Sequence, residues 1–214
     1  MSHLLIKKLN VTNLKAAELS FIFAKENLPF HAVSCMNWFE YPYKPDVKFR
    51  IAHNSHHLLL NFQVEESDIK AVCDKDNGNV WEDSCVEFFI SFAKDVFYYN
   101  IECNCIGKIL VATGIDRQMR ERIAPDIVRT IERWSSVGDS PVENQSGAWE
   151  LSLIIPLPVF HLSRISSFDG LRAKGNFYKC GDKLAVPHYL SWNPIKNGKP
   201  NFHLTAFFGE ILFE

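Results

Sequence analysis

The chain has 214 residues, of which 47% are hydrophobic, with 17 phenylalanines and five tryptophans, so it can bury a substantial core. Its formal net charge of −2 excludes a general electrostatic attraction to nucleic acid or to an acidic membrane surface. No segment is long and apolar enough to span a bilayer, and the first ten residues lack the apolar stretch of a signal peptide. We therefore expect a cytoplasmic protein, or an extracellular or periplasmic one if a leader precedes this sequence, with no nucleic-acid or membrane partner.

A short helix and a β-hairpin are the first elements that the sequence predicts. The segment 16–25 favours a short helix. Residues 47–53 (VKFRIAH) alternate apolar and polar side chains, and residues 57–64 (HLLLNFQV) follow after a tight link. This pattern predicts two antiparallel strands joined by a turn.

The run 80–92 (VWEDSCVEFFISF) predicts a strand whose two faces differ. Val86, Phe88 and Ile90 share one face, whereas Glu87 lies among the residues of the other. A tryptophan, Trp81, precedes the strand. An aromatic side chain at the start of a strand and a charge within it are typical of a binding surface more than of a purely structural edge.

The next strand, residues 97–104 (FYYNIECN), completes a second hairpin. Asn100, Glu102 and Asn104 share one of its faces. If this face and that of Glu87 coincide, the sheet presents two carboxylates and two amides side by side. Such a group suits hydrogen bonding to sugar hydroxyls, which both donate and accept. The alternative is an ordinary solvated sheet face.

The rest of the chain continues with strands and loops. Strands are predicted over residues 108–113, 149–157 and 207–214. The stretch 116–134 is ambiguous and favours a loop followed by a strand from about Val128, and 163–187 is predicted as irregular loop. Many short strands with little helix predict an all-β protein: a single domain over residues 1–214, folded as an antiparallel two-layer β-sandwich of jelly-roll type with minor helix. The residues expected between the layers are Val86, Phe88, Ile90, Ile101, Leu153 and Ile155.

Two tryptophans are candidate ligand contacts. Trp81 and Trp192 both lie beside turn residues, which favours loop positions over core positions. The CH-rich face of a pyranose stacks on an indole, and two opposed indoles can hold one ring between them. The alternative is that both side chains are part of the core.

Metal and disulfide signals are weak. Residues 74–78 (DKDNG) resemble a calcium loop but lack an oxygen ligand at the fifth position, so a plain turn competes with a structural calcium site. The six cysteines show no paired spacing, which indicates reduced, mostly buried thiols.

Several ordered segments together resemble the family 9-like carbohydrate-binding modules, the β-sandwich xylan- and cellulose-binding modules of xylanases. The segments are PDVKFRIAH, VWEDSCVEFFISF, YYNIECNCIGKIL, WELSLIIPLPVF, YLSWNPI and NFHLTAFFGEILFE, and they cover most of the chain after Trp38. The most specific piece is the D-S-x-V-E-x-F core after a tryptophan. The resemblance implies a protein that binds the end of a sugar chain and performs no chemistry, with a structural calcium ion in many members.

The resemblance also implies a set of site residues. Two tryptophans hold a terminal sugar in that family, and Trp81 and Trp192 match them. Glu87 matches the acidic hydrogen-bonding residue, and Lys108 is the nearest match to a basic residue on the strand after the central hairpin. The predicted carbohydrate-binding set, with two neighbouring asparagines, is Trp81, Glu87, Asn104, Lys108, Trp192 and Asn193.

Two further functions remain open at the level of sequence. A glycoside hydrolase could use Glu87 and Glu102 as its pair of carboxyl groups, which hydrolysis requires about 5–10 Å apart. A haem-binding redox module could use Met36, Met119 or Lys108 as ligands, although no CxxCH motif is present. We therefore predict carbohydrate binding first, hydrolysis second and haem binding third.

Overall fold

The computed structural model describes residues 2–214 and consists mainly of β-strands. The strands are β1 (His3–Lys8), β2 (His31–Ala32), β3 (Cys35–Met36), β4 (Asp46–His53), β5 (His57–Ala71), β6 (Cys85–Phe92), β7 (Tyr98–Asn104), β8 (Ile109–Gly114), β9 (Arg120–Arg122), β10 (Glu132–Ser135), β11 (Val142–Pro156), β12 (Arg172–Cys180), β13 (Tyr189–Ser191) and β14 (Gly209–Phe213). The α-helices are α1 (Leu19–Lys25) and α2 (Pro125–Val128), and 3-10 turns span Ala16–Glu18, Val80–Glu82, Leu157–Ser163 and Thr205–Phe207.

The strands form two layers that are joined through β1. The first sheet has the order β9-β8-β7-β6-β12-β14, and the second sheet has the order β4-β5-β11-β10. The first four residues of β1 pair in parallel with β14, and its last two residues pair in parallel with β4. Every other pairing among the described strands is antiparallel. The predicted two-layer β-sandwich is confirmed, and β1 adds a parallel seam that the sequence did not indicate.

Alternation along the strands gives each sheet one face towards the core. The six residues predicted to lie between the layers are all buried there. Phe177 of β12 stacks on Phe49 of the second sheet, with ring centroids 3.7 Å apart, and on Phe88 of β6 at 4.6 Å. This aromatic stack packs the two sheets directly against each other.

The predicted N-terminal helix is confirmed as a 3-10 turn followed by α1. Leu19 and Phe23, four residues apart, are buried on one helix face. They pack with Leu59 and Ile154 on the outer face of the second sheet. The helix therefore covers part of that sheet and leaves the outer face of the first sheet to other segments.

Two segments differ from the sequence prediction. Residues 172–180, expected as irregular loop, form β12, which lies between β6 and β14 near the centre of the first sheet. The ambiguous stretch contains β9, then α2, and its last strand begins at Glu132 rather than at Val128. Pro125 opens α2 at its first position, where a missing N–H is tolerated.

Of residues 2–214, no helical segment has both the length and the apolar character needed to cross a membrane.

Candidate functional site

Two buried carboxyl groups form the floor of a cavity on the outer face of the first sheet. The strand register places Glu87 of β6 directly opposite Glu102 of β7, so the two polar faces coincide as expected. Directly opposed residues have Cβ atoms about 4.5–5.5 Å apart. Their relative exposures are 4% and 3%, so this face is covered and is not an ordinary solvated one.

The two carboxyl groups have unusual electrostatics. Burial, and then the adjacent charge of Glu102, raise the pKa of Glu87 well above its ordinary value. Burial raises the pKa of Glu102 to about 7, although the guanidinium of Arg120 acts to lower it. Near neutral pH the pair therefore retains a proton, and it can donate as well as accept hydrogen bonds.

Few protein groups bind these carboxyl oxygens. The Sγ atom of Cys180 lies 3.1 Å from Oε1 of Glu87. The amide of Asn100 donates to Oε1 of Glu102 at 2.8 Å, and an Arg120 nitrogen lies 3.5 Å from the same oxygen. Two carboxyl groups offer about four oxygen sites in all, so acceptor capacity remains for a ligand.

The cavity above this floor holds about 120 Å³. A water molecule takes about 30 Å³ of liquid volume, so this space holds a few waters or part of one sugar ring. Aromatic, acidic, basic and amide side chains line it together. The lining consists of Trp81, Glu87, Glu102, Arg117, Arg120, Cys180, Asp182, Tyr189, Pro200, Asn201, Phe202 and His203.

Local backbone contacts hold the aromatic residues at the cavity. Trp81 lies in the 3-10 turn before β6, and its carbonyl accepts a hydrogen bond from the amide of Asp182 at 3.1 Å. Tyr189 of β13 is opposite Cys180 in the register, which brings its side chain to the same face. Phe202 stacks on Tyr178 with ring centroids 4.2 Å apart, and this contact fixes the loop that carries Asn201 and His203.

Basic and imidazole groups complete the cavity. Arg120 belongs to β9, and Arg117 to the turn before it. Burial, followed by the charges of Arg120 and Arg117, lowers the pKa of His203 to about 3, so this imidazole is neutral. Its Nδ1 lies 2.8 Å from the hydroxyl of Tyr98, which fixes the ring beside the cavity.

The structure brings two of the six predicted site residues together, because Trp81 and Glu87 line the same cavity. The expected facing pair of indoles is not formed. Trp192 packs against the core between the sheets, with edge-on contacts to Phe49 and Phe177. The cause is the alternation of β13, which turns Tyr189 to the cavity face and the residue after Ser191 to the core.

The other three predicted residues have different contacts. The amide of Asn104 donates to the carboxylate of Asp83 and to the carbonyl of Cys73, both at 2.9 Å. The side chain of Asn193 accepts from the amide of Ser2 and donates to the carbonyl of Phe207, each at 2.8 Å. These side chains hold loops in place.

Lys108 lines a separate cavity, together with Asp76 and Arg133. In the aspartate-rich turn, the Asp76 carboxylate accepts from Arg133 at 2.6 Å and from the amide of Ile109 at 3.1 Å. The arginine occupies an oxygen that calcium would need, and calcium binding at this turn stays a prediction. Neither Met36 nor Met119 is among the residues that line the cavity at Lys108.

Most residues of the cavity wall are absent from the set predicted from the sequence. Arg117 and Arg120 lie in the stretch whose secondary structure was ambiguous, and Asp182 lies in the segment taken as loop. Tyr189 and His203 occur within the segments that carried the family resemblance, but nothing in their pattern indicated which way they face. An Arg-x-x-Arg spacing beside a predicted hairpin was the one signal for the basic residues.

Two kinds of comparison place the chain among known proteins. A family profile described as carbohydrate-binding family 9 matches residues 17–213. Among curated protein sequences, none matches the chain. The chain is also similar to a candidate carbohydrate-binding protein from Bacteroides uniformis ATCC 8492, whose crystal structure is known. The two sequences are 43% identical, and the structures match with a TM-score of 0.96 over 99% of each chain.

More distant solved structures share the fold. A family 9 carbohydrate-binding module from Caldicellulosiruptor kristjanssonii, in complex with glucose, matches with 11% identity and a TM-score of 0.62, over 100% of this chain and 96% of that one. A family 9 module from the same organism, in complex with cellotriose, matches with 11% identity and a TM-score of 0.64, over 100% of this chain and 94% of that one. At this identity the likeness concerns the fold.

Proposed function

This chain belongs to carbohydrate-binding family 9, and we propose that it binds the end of a sugar chain in the cavity above Glu87 and Glu102, without chemistry. The observation that carries the proposal is the buried carboxyl pair with free acceptor capacity in a cavity that Trp81 and two arginines also line. An aromatic surface, charged donors and buried acceptors are what a pyranose needs for stacking and for its hydroxyls.

The proposed site keeps Trp81 and Glu87 from the predicted set. Glu102, Arg120 and Asp182 join them as hydrogen-bonding groups at the same cavity. Tyr189 is the proposed second aromatic contact in place of Trp192, since it is on the cavity wall. The contacts of Asn104 and Asn193 support a structural role for those two residues, and Lys108 lies at a separate cavity.

The ligand class we propose is a glucose-configured sugar at the end of a β-linked oligosaccharide. The support is that family 9 modules of the same fold from Caldicellulosiruptor kristjanssonii were solved with glucose and with cellotriose. The cavity of about 120 Å³ takes part of one sugar ring, which agrees with recognition of a terminal residue rather than a long internal stretch.

Hydrolysis is the weaker alternative. Glu87 and Glu102 are neighbours on one sheet face and point the same way, so a ligand in the cavity would lie above both. A glycosidase needs its two carboxyl groups on opposite sides of the scissile bond, so that acid and nucleophile or base act from different directions. A haem site has still less support, because the candidate ligands Met36 and Met119 lie outside the cavity beside Lys108.

Titration of the protein with glucose, cellobiose and xylobiose by calorimetry tests the proposal. We expect saturable one-to-one binding of at least one of them, and a higher melting temperature at millimolar sugar. No binding by any soluble gluco- or xylo-oligosaccharide would contradict the proposed ligand class. Release of reducing sugar by the wild-type protein, silenced in Glu87→Gln or Glu102→Gln, would support hydrolysis instead.

A further inference from the structure

Two thiols and one carboxyl group meet beneath the cavity. Cys85 of β6 is directly opposite Cys180 of β12, and Glu87 follows Cys85 by two residues on the same strand face. One carboxylate oxygen and both Sγ atoms all lie within 4.8 Å of one another, and all three residues are buried. The proposed sugar site uses Glu87 but has no role for either thiol.

We propose that Cys85, Cys180 and Glu87 form a binding site for one thiophilic divalent metal ion of the Zn²⁺ class, with its fourth ligand position open to the cavity. Three protein ligands and one exchangeable position are a common coordination of zinc. The metal site itself does not depend on the proposed function.

The spacing of the three ligand atoms suits such an ion. Zinc binds thiolate sulfur at about 2.3 Å and carboxylate oxygen at about 2.1 Å, so ligand atoms around a tetrahedral ion lie about 3.4–3.8 Å apart. The Sγ atom of Cys180 is already 3.1 Å from Oε1 of Glu87. With all separations inside 4.8 Å, shifts of about 1 Å or less would close the site.

The ligand type selects the metal. Two sulfur donors and one oxygen favour Zn²⁺ and related ions, whereas Ca²⁺ takes six to eight oxygen ligands and Mg²⁺ prefers an octahedral oxygen set. The site is therefore chemically distinct from the structural calcium that the sequence resemblance implies.

Access and charge also agree with the proposal. Glu87 and Cys180 line the cavity, so an ion and a water ligand can reach them, while Cys85 lies beneath. Two thiolates and a carboxylate leave one excess negative charge around a divalent ion, and Arg117 and Arg120 line the same cavity. All three ligands belong to strands in the interior of the sheet, which hold them in place.

Cobalt titration tests the site, because Co²⁺ is a spectroscopic substitute for Zn²⁺. The full chain is reduced, stripped with a chelator and titrated with Co²⁺. We expect a thiolate-to-cobalt charge-transfer absorption that saturates at one equivalent, disappears when Zn²⁺ is added, and persists in a large excess of Ca²⁺. Absence of a saturable band, or its loss to Ca²⁺, would overturn the proposal.

Substitutions assign the ligands. Cys85→Ser and Cys180→Ser should abolish the band, whereas Cys103→Ser, which removes a buried thiol from the opposite face of β7, should keep it. Glu87→Gln retains both thiols and should weaken Co²⁺ binding by about tenfold or more. This variant tests the site even if a serine variant does not fold. An unchanged band in Cys180→Ser, or unchanged affinity in Glu87→Gln, would show that the metal is held elsewhere.

The cobalt band in the absence of sugar tests the metal site independently of the proposed function.

Discussion

Two groups of buried carboxyl side chains, one between the sheets and one on the cavity floor, differ in how the protein satisfies them. Between the sheets, Oε2 of Glu66 lies 2.8 Å from the ammonium of Lys179, and its Oε1 accepts from the indole of Trp149 at 2.6 Å. On the cavity floor, Glu87 and Glu102 face each other, and the nearest cation is an Arg120 nitrogen 3.5 Å from Glu102. The first group is closed by protein partners, and the second leaves acceptors open to a ligand.

The contrast separates a structural role from a binding role. Lys179 and Cys180 are consecutive in β12, so they point to opposite faces of the sheet. The lysine completes the closed group between the sheets, where it also donates to the carbonyl of Cys180 at 2.9 Å and lies 2.9 Å from Nε2 of His188. Substitutions on one face should therefore change stability, and substitutions on the other should change sugar affinity.

The largest effect is expected at Glu66. Replacing Glu66 by alanine leaves the buried ammonium of Lys179 without its carboxylate, and breaking one half of a buried ion pair costs about 3–5 kcal/mol of folding free energy. Urea unfolding measures the loss. Glu65→Ala, at the exposed preceding position of the same strand, is the control and should change stability by about 0.5 kcal/mol or less. A decrease in folding free energy of less than about 1 kcal/mol in Glu66→Ala would contradict a structural role for the ion pair between Glu66 and Lys179.

The next effect concerns the two tryptophans. Trp81→Ala should weaken sugar binding by about thirtyfold or more, equivalent to about 2 kcal/mol, because it removes the indole from the cavity wall. Trp192→Phe is the matched variant: it should lower stability by loosening the contacts with Phe49 and Phe177 and keep the sugar affinity. Calorimetry measures the sugar affinity of both variants. If Trp192→Phe lost sugar affinity and Trp81→Ala kept it, the proposed site would be contradicted in favour of a site at Trp192.

A pH effect of similar size is expected from the closed group. Burial, and then the charge of Lys179, lowers the pKa of His188 to about 3; Glu66 and the ring of Tyr43 also face it. The unfolded chain takes up a proton below about pH 6.5 and the folded chain does not, so folding stability decreases as the pH falls through that value. This histidine should account for a loss of about 2 kcal/mol between pH 7 and pH 5.

The control for the pH effect uses two histidines. Unfolding free energies of wild type, His188→Gln and His56→Gln are compared at both pH values. The unfolding free energy of His188→Gln should decrease less between pH 7 and pH 5 than that of the wild type. The unfolding free energy of His56→Gln, at an exposed turn, should decrease as much as that of the wild type. Equal slopes in all three proteins would contradict the account of the closed group.

The smallest effect is expected at Glu87. Glu87→Gln keeps the side-chain shape but replaces one carboxyl oxygen by an amide nitrogen that cannot accept a hydrogen bond. Loss of one hydrogen bond of about 1–1.5 kcal/mol should lower sugar affinity about five- to tenfold. Stability should not fall, because no buried cation is left unpaired and a carboxyl neighbour of Glu102 is removed. A stability loss as large as that of Glu66→Ala would mean that this carboxyl group is also structural.

The sequence predicted the β6–β7 hairpin and its carboxyl pair because clear alternation shows which residues share a face. The apolar set Val86, Phe88 and Ile90 assigned one side to the core, so Glu87 had to lie on the other. It could not predict that loops cover this face, since the cover comes from residues far along the chain, such as Phe202 on Tyr178.

β12 was missed because its core-facing positions are not apolar throughout. Gly175 and Lys179 face inwards along with Phe177, and the lysine is neutralised only by Glu66 from the other sheet. The placement of Trp192 differs from the expected loop position for a related reason, because nearby turn residues indicated a loop. Only the register of β13 with β12 turns that indole to the core.

The central claim is that the sugar lies at Trp81 on the outer face of the first sheet, and the five indole N–H signals in a two-dimensional NMR spectrum test it most directly. Each signal is assigned by single tryptophan substitution, and the protein is titrated with cellobiose. We expect the Trp81 signal to shift most and to saturate with the ligand, while the signals of the buried Trp149 and the core-packed Trp192 stay nearly unchanged. A saturable shift of Trp192 with none at Trp81 would contradict it.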